Sequence, residues 1–446
     1  MNIIIIGGIA AGMSVAAKAK REAPEATVTV IEAEDYISFG ACGLPYYLGG
    51  HFDDPNTMFA RTPEQMETQG ITLLTRHLAT GIHFDQKAVS VRNLATEDET
   101  MMHYDRLMIA TGATPVKPPI AGIDADNVYT LTKLNETQKL KNSLGRYETI
   151  GVIGGGFIGI EVAEQLALMG KKVKLIQASG TLINRPFDPE FSAKILTALE
   201  EIGVKVVLNT LIESFTLNEQ KNVTQMVSKE SVYHVDAVVV AIGFRPNTAF
   251  ITDPRLKKLD NGAIVINAYG ETSIPDVFSA GDCATIPHKF HGNIYLPLAT
   301  GANKMGRVIG TNIVSENKHR EKYVGSLGSS AIKVGHYEAG STGLTERDAK
   351  ALNIPYKTTT ITTQSHTAYY PGATPIDIKL VYNAESKILL GAQLFGKKDA
   401  VLRMTGLSTA IYANLKTDEI GLLDYAYAPP FSLTWEALNI AANTAK

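Results

Sequence analysis

Short apolar runs separated by helical stretches organise most of this chain. NIIII (residues 2–6) enters GGIAAG, MSVAAKAKR follows with a helical look, and ATVTVIE (26–32) is a second strand ending in an acid. The order recurs: TIGVI (149–153) enters GGGFIG, IEVAEQLALMG follows as a helix, and KKVKLIQ (171–177) is the next strand. YDRLMIATGATP (104–115) and VDAVVVAIGFRPN (235–247) also run apolar into a glycine turn. IPDVFSAGDCA (274–284) places Asp282 just past its strand. Continuous apolar runs of this kind predict strands buried on both faces of a parallel sheet. The last part reads differently. YKTTTITTQ and IDIKLVYNAESKILLGAQLFG alternate, with a turn at Asn383-Ala384-Glu385-Ser386, and DAVLRMTGLSTAIYANL has helical period. The expected class is α/β: two doubly wound units, then a C-terminal α+β domain.

The glycine turns give the two units a chemistry. A strand that turns sharply into a helix aims free backbone N–H groups at a pyrophosphate, and an acid at the next strand's end can hold a ribose. In the first unit Gly7 and Gly12 fill the outer places of G-x-G-x-x-G, with Ile9 in the middle place, Ala10 beside it and Glu32 as the acid. Any tight turn of this type favours glycine, so the first motif alone says little. In the second unit Gly154, Gly156 and Gly159 complete the fingerprint in the right context. That strand ends in neutral Gln177. An amide anchors a ribose diol less strongly than a carboxylate and does not repel a 2′-phosphate, which leaves NADH against NADPH open. Both units together point to Rossmann-like dinucleotide-binding domains.

Composition removes other classes. The chain has 446 residues, enough for about three domains, with 45% hydrophobic and 20% charged residues. A net charge of −3 provides no basic surplus for nucleic acid. No apolar run approaches the roughly 18 residues of a membrane helix. The opening segment lacks the basic region and cleavage site of a secretory signal. Two cysteines are not a disulfide framework, and the cytoplasm is the expected location. No metal is expected.

With these elements in order, the chain resembles the pyridine nucleotide-disulfide oxidoreductases over its whole length. The resemblance implies an FAD-binding domain in two segments (1–112 and 244–321), an NAD(P)H-binding domain (113–243) and a dimerisation domain (322–446). Asp282 of the AGD segment would bind FAD, although it could equally cap the next segment. Thr111 and Gly112 of the ATG segment would line the FAD site, and Glu161 would lie near the nicotinamide. Ser38, Gly243 and Ala299 join the expected cofactor-binding set. SFGACGLPYYLGG (38–50) is the telling stretch, because it holds Cys42 but has Tyr47 where two-cysteine relatives carry a second cysteine. That resembles the single-cysteine branch of coenzyme A-disulfide reductases, NADH oxidases and NADH peroxidases. SHTAYYPG (365–372) and DYAYAPPFS (424–432) are similar to the coenzyme A-disulfide and coenzyme A-persulfide reductases. Oxidases and peroxidases of the branch carry a histidine where this chain has Ala10. Ala41 departs from the asparagine found before the cysteine in some coenzyme A-disulfide reductases.

Cys42 stands in a loop of small residues running into LPYYLGG, read as a helix start, where a thiol pKa falls and the thiolate attacks. Its oxidised form is then a mixed disulfide with a small thiol, a persulfide or a sulfenate. Cys283, following Gly281-Asp282, reads as packing. The expected reaction is NAD(P)H-driven reduction of coenzyme A disulfide or persulfide through FAD and Cys42, with oxygen reduction as the alternative. Lys20, Arg21 and Ser38 are the substrate-binding candidates; Lys20 and Arg21 also suit a helix C-terminus as plain cations. Tyr427, with Tyr369 or Tyr370, is expected to act at the substrate sulfur in a homodimer, although tyrosines commonly just pack. His366 is expected at the surface or an interface. No rhodanese-like domain is expected after the C-terminal domain, so any persulfide would be made elsewhere.

Overall fold

The computed structural model describes residues 1–315 and 320–446, and these fall into two compact units. The first comprises Met1–Gly43, Phe52–Val116 and Phe244–Ser326. Its five-stranded parallel sheet runs Val277–Ser279, Arg106–Ile109, Asn2–Ile6, Thr27–Ile31, Ile71–Leu74. Asn2–Ile6 is central, paired with Thr27–Ile31 on one side and Arg106–Ile109 on the other. Its four isoleucines are buried, which is why the run shows no alternation. Helix Ala10–Glu22 buries Ala11, Gly12, Val15, Ala16 and Ala19. It lies close along helix Ala299–Asn312 because glycines face it. A Cβ at Gly306 would come 2.7 Å from the Ala11 carbonyl, and one at Gly310 2.5 Å from the Lys18 Cβ. Ala113–Pro115 pairs antiparallel with Phe244–Pro246, joining two segments of this unit. An antiparallel meander of His77–His83, Ala88–Asn93 and Glu99–His103 completes it, and the hydrophobic pattern does not announce that element.

The second unit comprises Leu44–His51, Lys117–Gly243 and Leu327–Lys446. Its parallel sheet runs Lys205–Val207, Lys172–Ile176, Thr149–Ile153, Ala237–Val240, Val128–Tyr129, again five strands, except that edge strand Val128–Tyr129 precedes the central strand in the chain where Val277–Ser279 follows it. Its C-terminal sheet is antiparallel, in the order Ser330–Val334, Tyr337–Gly343, Leu389–Gly396, Pro375–Asn383, Tyr356–Gln364. The alternating pattern marks the last three of these strands along the chain, and helix Ala400–Tyr412 covers the sheet as its period requires. Inside this unit Lys379, 2% exposed, places its ammonium against Asp188, Glu190 and Glu346. Gln393 donates to Asp188 at 2.6 Å, so the start of helix Pro189–Glu201 is tied to the antiparallel sheet. No helix among the described residues is long and apolar enough to cross a membrane.

Candidate active site

In the first unit the strand-to-helix turn admits only glycine at two points. Gly7 has φ +106°, and a Cβ there would stand 2.1 Å from the Ala110 carbonyl oxygen. A Cβ at Gly12 would stand 1.8 Å from the Gly7 carbonyl oxygen. Ile9 caps the helix without a side-chain hydrogen bond, and Ala10 opens a first turn with no acidic residue. Those N–H groups are therefore available to an anion. Glu32, 7% exposed, accepts from Gly8 N–H at 2.6 Å and from Glu34 N–H at 2.8 Å. Burial raises its pKa. Ser38, at φ +54°, donates its N–H to the Gly8 carbonyl at 2.9 Å. Thr111 donates its hydroxyl to the Asn247 carbonyl at 2.7 Å, and Gly112 turns the chain at φ +65°. Ala299 opens its helix, exposed.

Asp282 and Tyr295 are two polar groups of this unit whose side chains make no hydrogen bond among the described residues. Burial raises the Asp282 pKa, and its carboxylate has no hydrogen bond among the described residues. The Tyr295 hydroxyl is buried without a partner, and burial with the Asp282 charge holds its pKa well above the usual phenol range. A steric cradle of glycines, a buried acid at the ribose position and two unsatisfied polar groups fit FAD.

The second unit repeats the closure. Gly154 has φ +110°, its Cβ position lies 2.3 Å from the Ala241 carbonyl oxygen, and that of Gly159 lies 1.8 Å from the Gly154 carbonyl oxygen. Nothing lies within 4 Å of a Cβ at Gly156. Gln177 accepts from Gly155 N–H at 2.9 Å and donates to Ser179 Oγ at 2.6 Å and the Thr181 carbonyl at 3.3 Å. Gly243 is exposed at φ +118°. On helix Phe157–Leu168, burial pushes Glu161 up to about 7. These residues fit a nicotinamide dinucleotide, held by an open backbone at Gly156 and a neutral strand end.

Cys42 is exposed in a one-turn 3-10 helix, Ala41–Gly43. The preceding residues are pinned by an aromatic cluster of Tyr36, Phe39 and Phe59, with ring centroids 5.0–5.4 Å apart. Gly40 donates its N–H to the Met58 carbonyl at 2.8 Å. The short helix Leu44–Leu48 follows, in the second unit. There Tyr46 Oη donates to Glu161 Oε1 at 3.4 Å, and His51 Nε2 lies 2.8 Å from Gln165 Oε1. Lys141 donates to the Tyr47 carbonyl at 2.6 Å and lies 3.9 Å over the Tyr47 ring centroid. Cys283 is fully buried, with Sγ 3.4 Å from the Ala280 carbonyl, and burial raises its pKa. It packs.

Among the substrate candidates, Lys20 donates to the Ala26 carbonyl at 2.8 Å, while Arg21 is exposed at the end of its helix. Tyr369 and Tyr427 meet hydroxyl to hydroxyl at 3.0 Å and are 75% and 43% exposed. That hydrogen bond raises the Tyr369 pKa. Tyr370 is exposed and meets His366 edge-on. His366, expected at the surface or an interface, is not at the surface of this chain, since it is 3% exposed. Ser365 Oγ at 3.1 Å and the Pro371 carbonyl at 3.3 Å satisfy its two ring nitrogens, so burial costs little. Arg403 donates to the Ser365 carbonyl at 2.6 Å and the Phe431 carbonyl at 3.1 Å, joining the two tyrosine segments. Nothing local in the sequence marks Arg403 or Tyr295. Tyr46 lies inside the quoted cysteine segment, and its polarity beside apolar neighbours was the available signal.

The family description "pyridine nucleotide-disulphide oxidoreductase" matches residues 1–306, and its dimerisation domain matches residues 329–437. An NADH oxidase of Enterococcus faecalis is 31% identical over 100% of this chain and 99% of its own length. An NAD(P)H coenzyme A polysulfide/persulfide reductase of Pyrococcus horikoshii is 34% identical over 100% of this chain and 98% of its own. Among solved structures, an NAD-dependent persulfide reductase from A. fulgidus superposes with a TM-score of 0.95 at 36% identity, covering 100% of this chain and 83% of that one.

Proposed function

The chain belongs to the pyridine nucleotide-disulphide oxidoreductase family, and from that membership we propose that it reduces a coenzyme A disulfide or persulfide with NAD(P)H through Cys42. The observation that carries this reading is one exposed cysteine in a pinned loop, the chain's other cysteine being buried. The chain's other cysteine, Cys283, is fully buried, so the oxidised form of Cys42 is read as a disulfide with a small thiol. The P. horikoshii and A. fulgidus relatives, named as persulfide reductases, support the substrate class. FAD, when bound, supplies the exchange of a hydride from NAD(P)H for two electrons delivered to sulfur.

The first unit would hold FAD with Gly7, Gly12, Glu32, Thr111 and Asp282. The second would hold NAD(P)H with Gly154, Gly156, Gly159 and Gln177. Cys42 thiolate attacks one sulfur of the substrate, the sulfur–sulfur bond breaks, and the other half leaves as thiolate or hydrosulfide. The chain is left as a mixed disulfide, which two electrons and a proton return to thiolate and free coenzyme A. A proton donor speeds departure of the leaving thiolate. Tyr427, hydrogen-bonded to Tyr369, fits that role, supplied from the partner subunit of a homodimer. Tyr427→Phe is expected to slow reduction of coenzyme A disulfide about 10–100-fold while flavin reduction stays normal. Equal loss in both half-reactions would instead mean that the tyrosine only packs.

The test of the function is the mass of the group that reductant releases from purified enzyme. Coenzyme A or its persulfide is expected, and no coenzyme A-derived mass would overturn the reading. The E. faecalis relative favours oxygen reduction as a second reading. Against it, Ala10 supplies no imidazole at the start of the first helix. Oxygen uptake equal to NADH consumption would decide for it.

A further inference from the structure

The polypeptide that follows Cys42 is carried by the nicotinamide-nucleotide unit. Gly43 closes the first unit's leading segment, and Leu44–His51 groups with the second. Four observations fix this short segment there. Leu44, Pro45, Tyr47 and Leu48 are buried. Tyr46 reaches Glu161, and His51 reaches Gln165. Glu161 and Gln165 are four residues apart, so they share one face of helix Phe157–Leu168. Gly49 approaches that face so closely that a Cβ would stand 2.1 Å from Gln165 Oε1. Lys141 grips Tyr47 from a further helix of the same unit, Leu134–Ser143. The edge-on contact of the Tyr46 and His51 rings, centroids 5.8 Å apart, makes the two ties one assembly.

The helix they grip runs from the nucleotide fingerprint to a tie with the antiparallel sheet. Its N-terminus is Gly156, the open middle glycine of the nucleotide fingerprint. Its buried Glu164 accepts from Gly335 N–H at 2.7 Å and from Lys333 at 3.2 Å, and Gln165 Nε2 donates to Glu164 at 3.3 Å. The helix thus has the nucleotide site at one end and the post-cysteine segment on its flank.

We propose that Tyr46, His51 and Gln165 are positioning residues that couple occupancy of the nicotinamide-nucleotide site to the reactivity of Cys42. The inference rests on the function proposed above. The three act by holding Leu44–His51 to the helix that receives the nucleotide, and Cys42 lies two residues upstream of that segment. A shift of the helix on nucleotide binding is passed along the main chain to the cysteine turn. Such coupling keeps the thiolate unreactive until reductant is in place.

The experiment measures the alkylation rate of Cys42 by iodoacetamide in holoenzyme pre-reduced with dithiothreitol and desalted. It is run without nucleotide and with saturating NAD⁺ or NADP⁺, and buried Cys283 is the internal control. Wild type is expected to show a rate change of about fivefold or more, the low end of ordinary coupling between sites. In the Tyr46→Phe/Gln165→Met double variant the ratio is expected to fall to about one, with flavin content and nucleotide affinity by calorimetry unchanged. If that variant loses flavin, Lys141→Met loosens the same segment from another side, with the same expected result. A variant ratio equal to wild type overturns the coupling. So does a wild type that binds nucleotide with no change in alkylation, and in both cases the proposed function stands. Wild type that binds neither nucleotide overturns the function and the coupling together. No arm needs coenzyme A or turnover, so a wrong substrate class leaves this result unaffected.

Discussion

The two glycine-fingerprint units build the same turn from different sequences. In the first, Gly7 closes against Ala110 and Gly12 against Gly7, with Cβ positions 2.1 and 1.8 Å from carbonyl oxygens. In the second, Gly154 closes against Ala241 and Gly159 against Gly154, at 2.3 and 1.8 Å. At the end of the adjoining strand, each unit offers one side-chain oxygen to the N–H of the residue after its first glycine. Glu32 meets Gly8 at 2.6 Å, and Gln177 meets Gly155 at 2.9 Å. Their differences lie around that shared frame. The middle place is Ile9 in one and open Gly156 in the other, and the strand end is a buried acid in one and an amide in the other. Closure is therefore set by backbone sterics, and the function proposed above leaves the choice of dinucleotide to single side chains.

The largest test of that division breaks the closure in each unit separately. Gly7→Ala and Gly154→Ala each force a Cβ onto a carbonyl oxygen at positive φ, a cost on the order of 3 kcal/mol. Gly7→Ala is expected to come off a desalting column without its flavin. Gly154→Ala is expected to keep the yellow colour but lose flavin reduction by NAD(P)H. If each variant lost both properties, the two turns would not be separate binding devices.

A smaller effect follows from exchanging the strand-end side chains. Gln177→Glu keeps an acceptor for Gly155 but loses the donors to Ser179 and Thr181. Its carboxylate repels a 2′-phosphate, so the ratio of kcat/KM values is expected to move toward NADH by about tenfold. The reciprocal Glu32→Gln removes a carboxylate whose pKa burial raises. The amide keeps one acceptor and turns its NH2 toward the other of the two N–H donors, Gly8 or Glu34, which offsets the charge removed, while FAD, deprived of an anionic ribose partner, is expected to dissociate more readily on dialysis. An unchanged NADH to NADPH ratio in Gln177→Glu would show that this position does not read the ribose.

The parts legible in the sequence were those whose environment is set locally. Strands such as Ile3–Ile6 are apolar throughout because both faces are buried, and glycine is forced wherever a Cβ meets a carbonyl. The meander at His77–His103 was not legible. Its strands are unevenly exposed, so they show neither a continuous run nor a clean alternation. Strand Tyr337–Gly343 escaped for a related reason, because its buried stretch, residues 339–342, is small and polar rather than apolar. The glycines that close the two turns announced themselves by their spacing. Tyr295 could not, because the burial that strands its hydroxyl is made by distant segments. His366 misled, since a polar ring beside tyrosines looks exposed until Ser365 and the Pro371 carbonyl satisfy it.

The smallest effect concerns the position two residues beyond the third glycine, where the two helices differ again. The first has Ser14, whose hydroxyl donates to Asn303 at 3.0 Å. The second has Glu161, pushed up to about 7 chiefly by burial, against the lowering effect of the Tyr46 hydroxyl, with the nearby Glu164 charge adding to the rise. In the unfolded chain the same carboxyl titrates near its ordinary value of 4.5. Below that value both states hold the proton, and Glu161 costs the fold nothing. Between the two values the unfolded chain has released its proton and the folded chain has not, so stability falls as pH rises. Above about pH 7 the loss is complete and levels off, at no more than about 3 kcal/mol for a shift of this size. Glu161→Gln removes the titration while keeping an acceptor for Tyr46. Without nucleotide, the melting temperature of wild type is therefore expected to drop relative to Glu161→Gln between pH 5 and 7.5, with the variant the more stable at the upper end. Parallel curves across that range would mean that Glu161 is ionised in the folded protein and that the helix of the second unit carries a charge at neutral pH. The contrast with Ser14 would then be one of charge, rather than of a proton held until the site is filled.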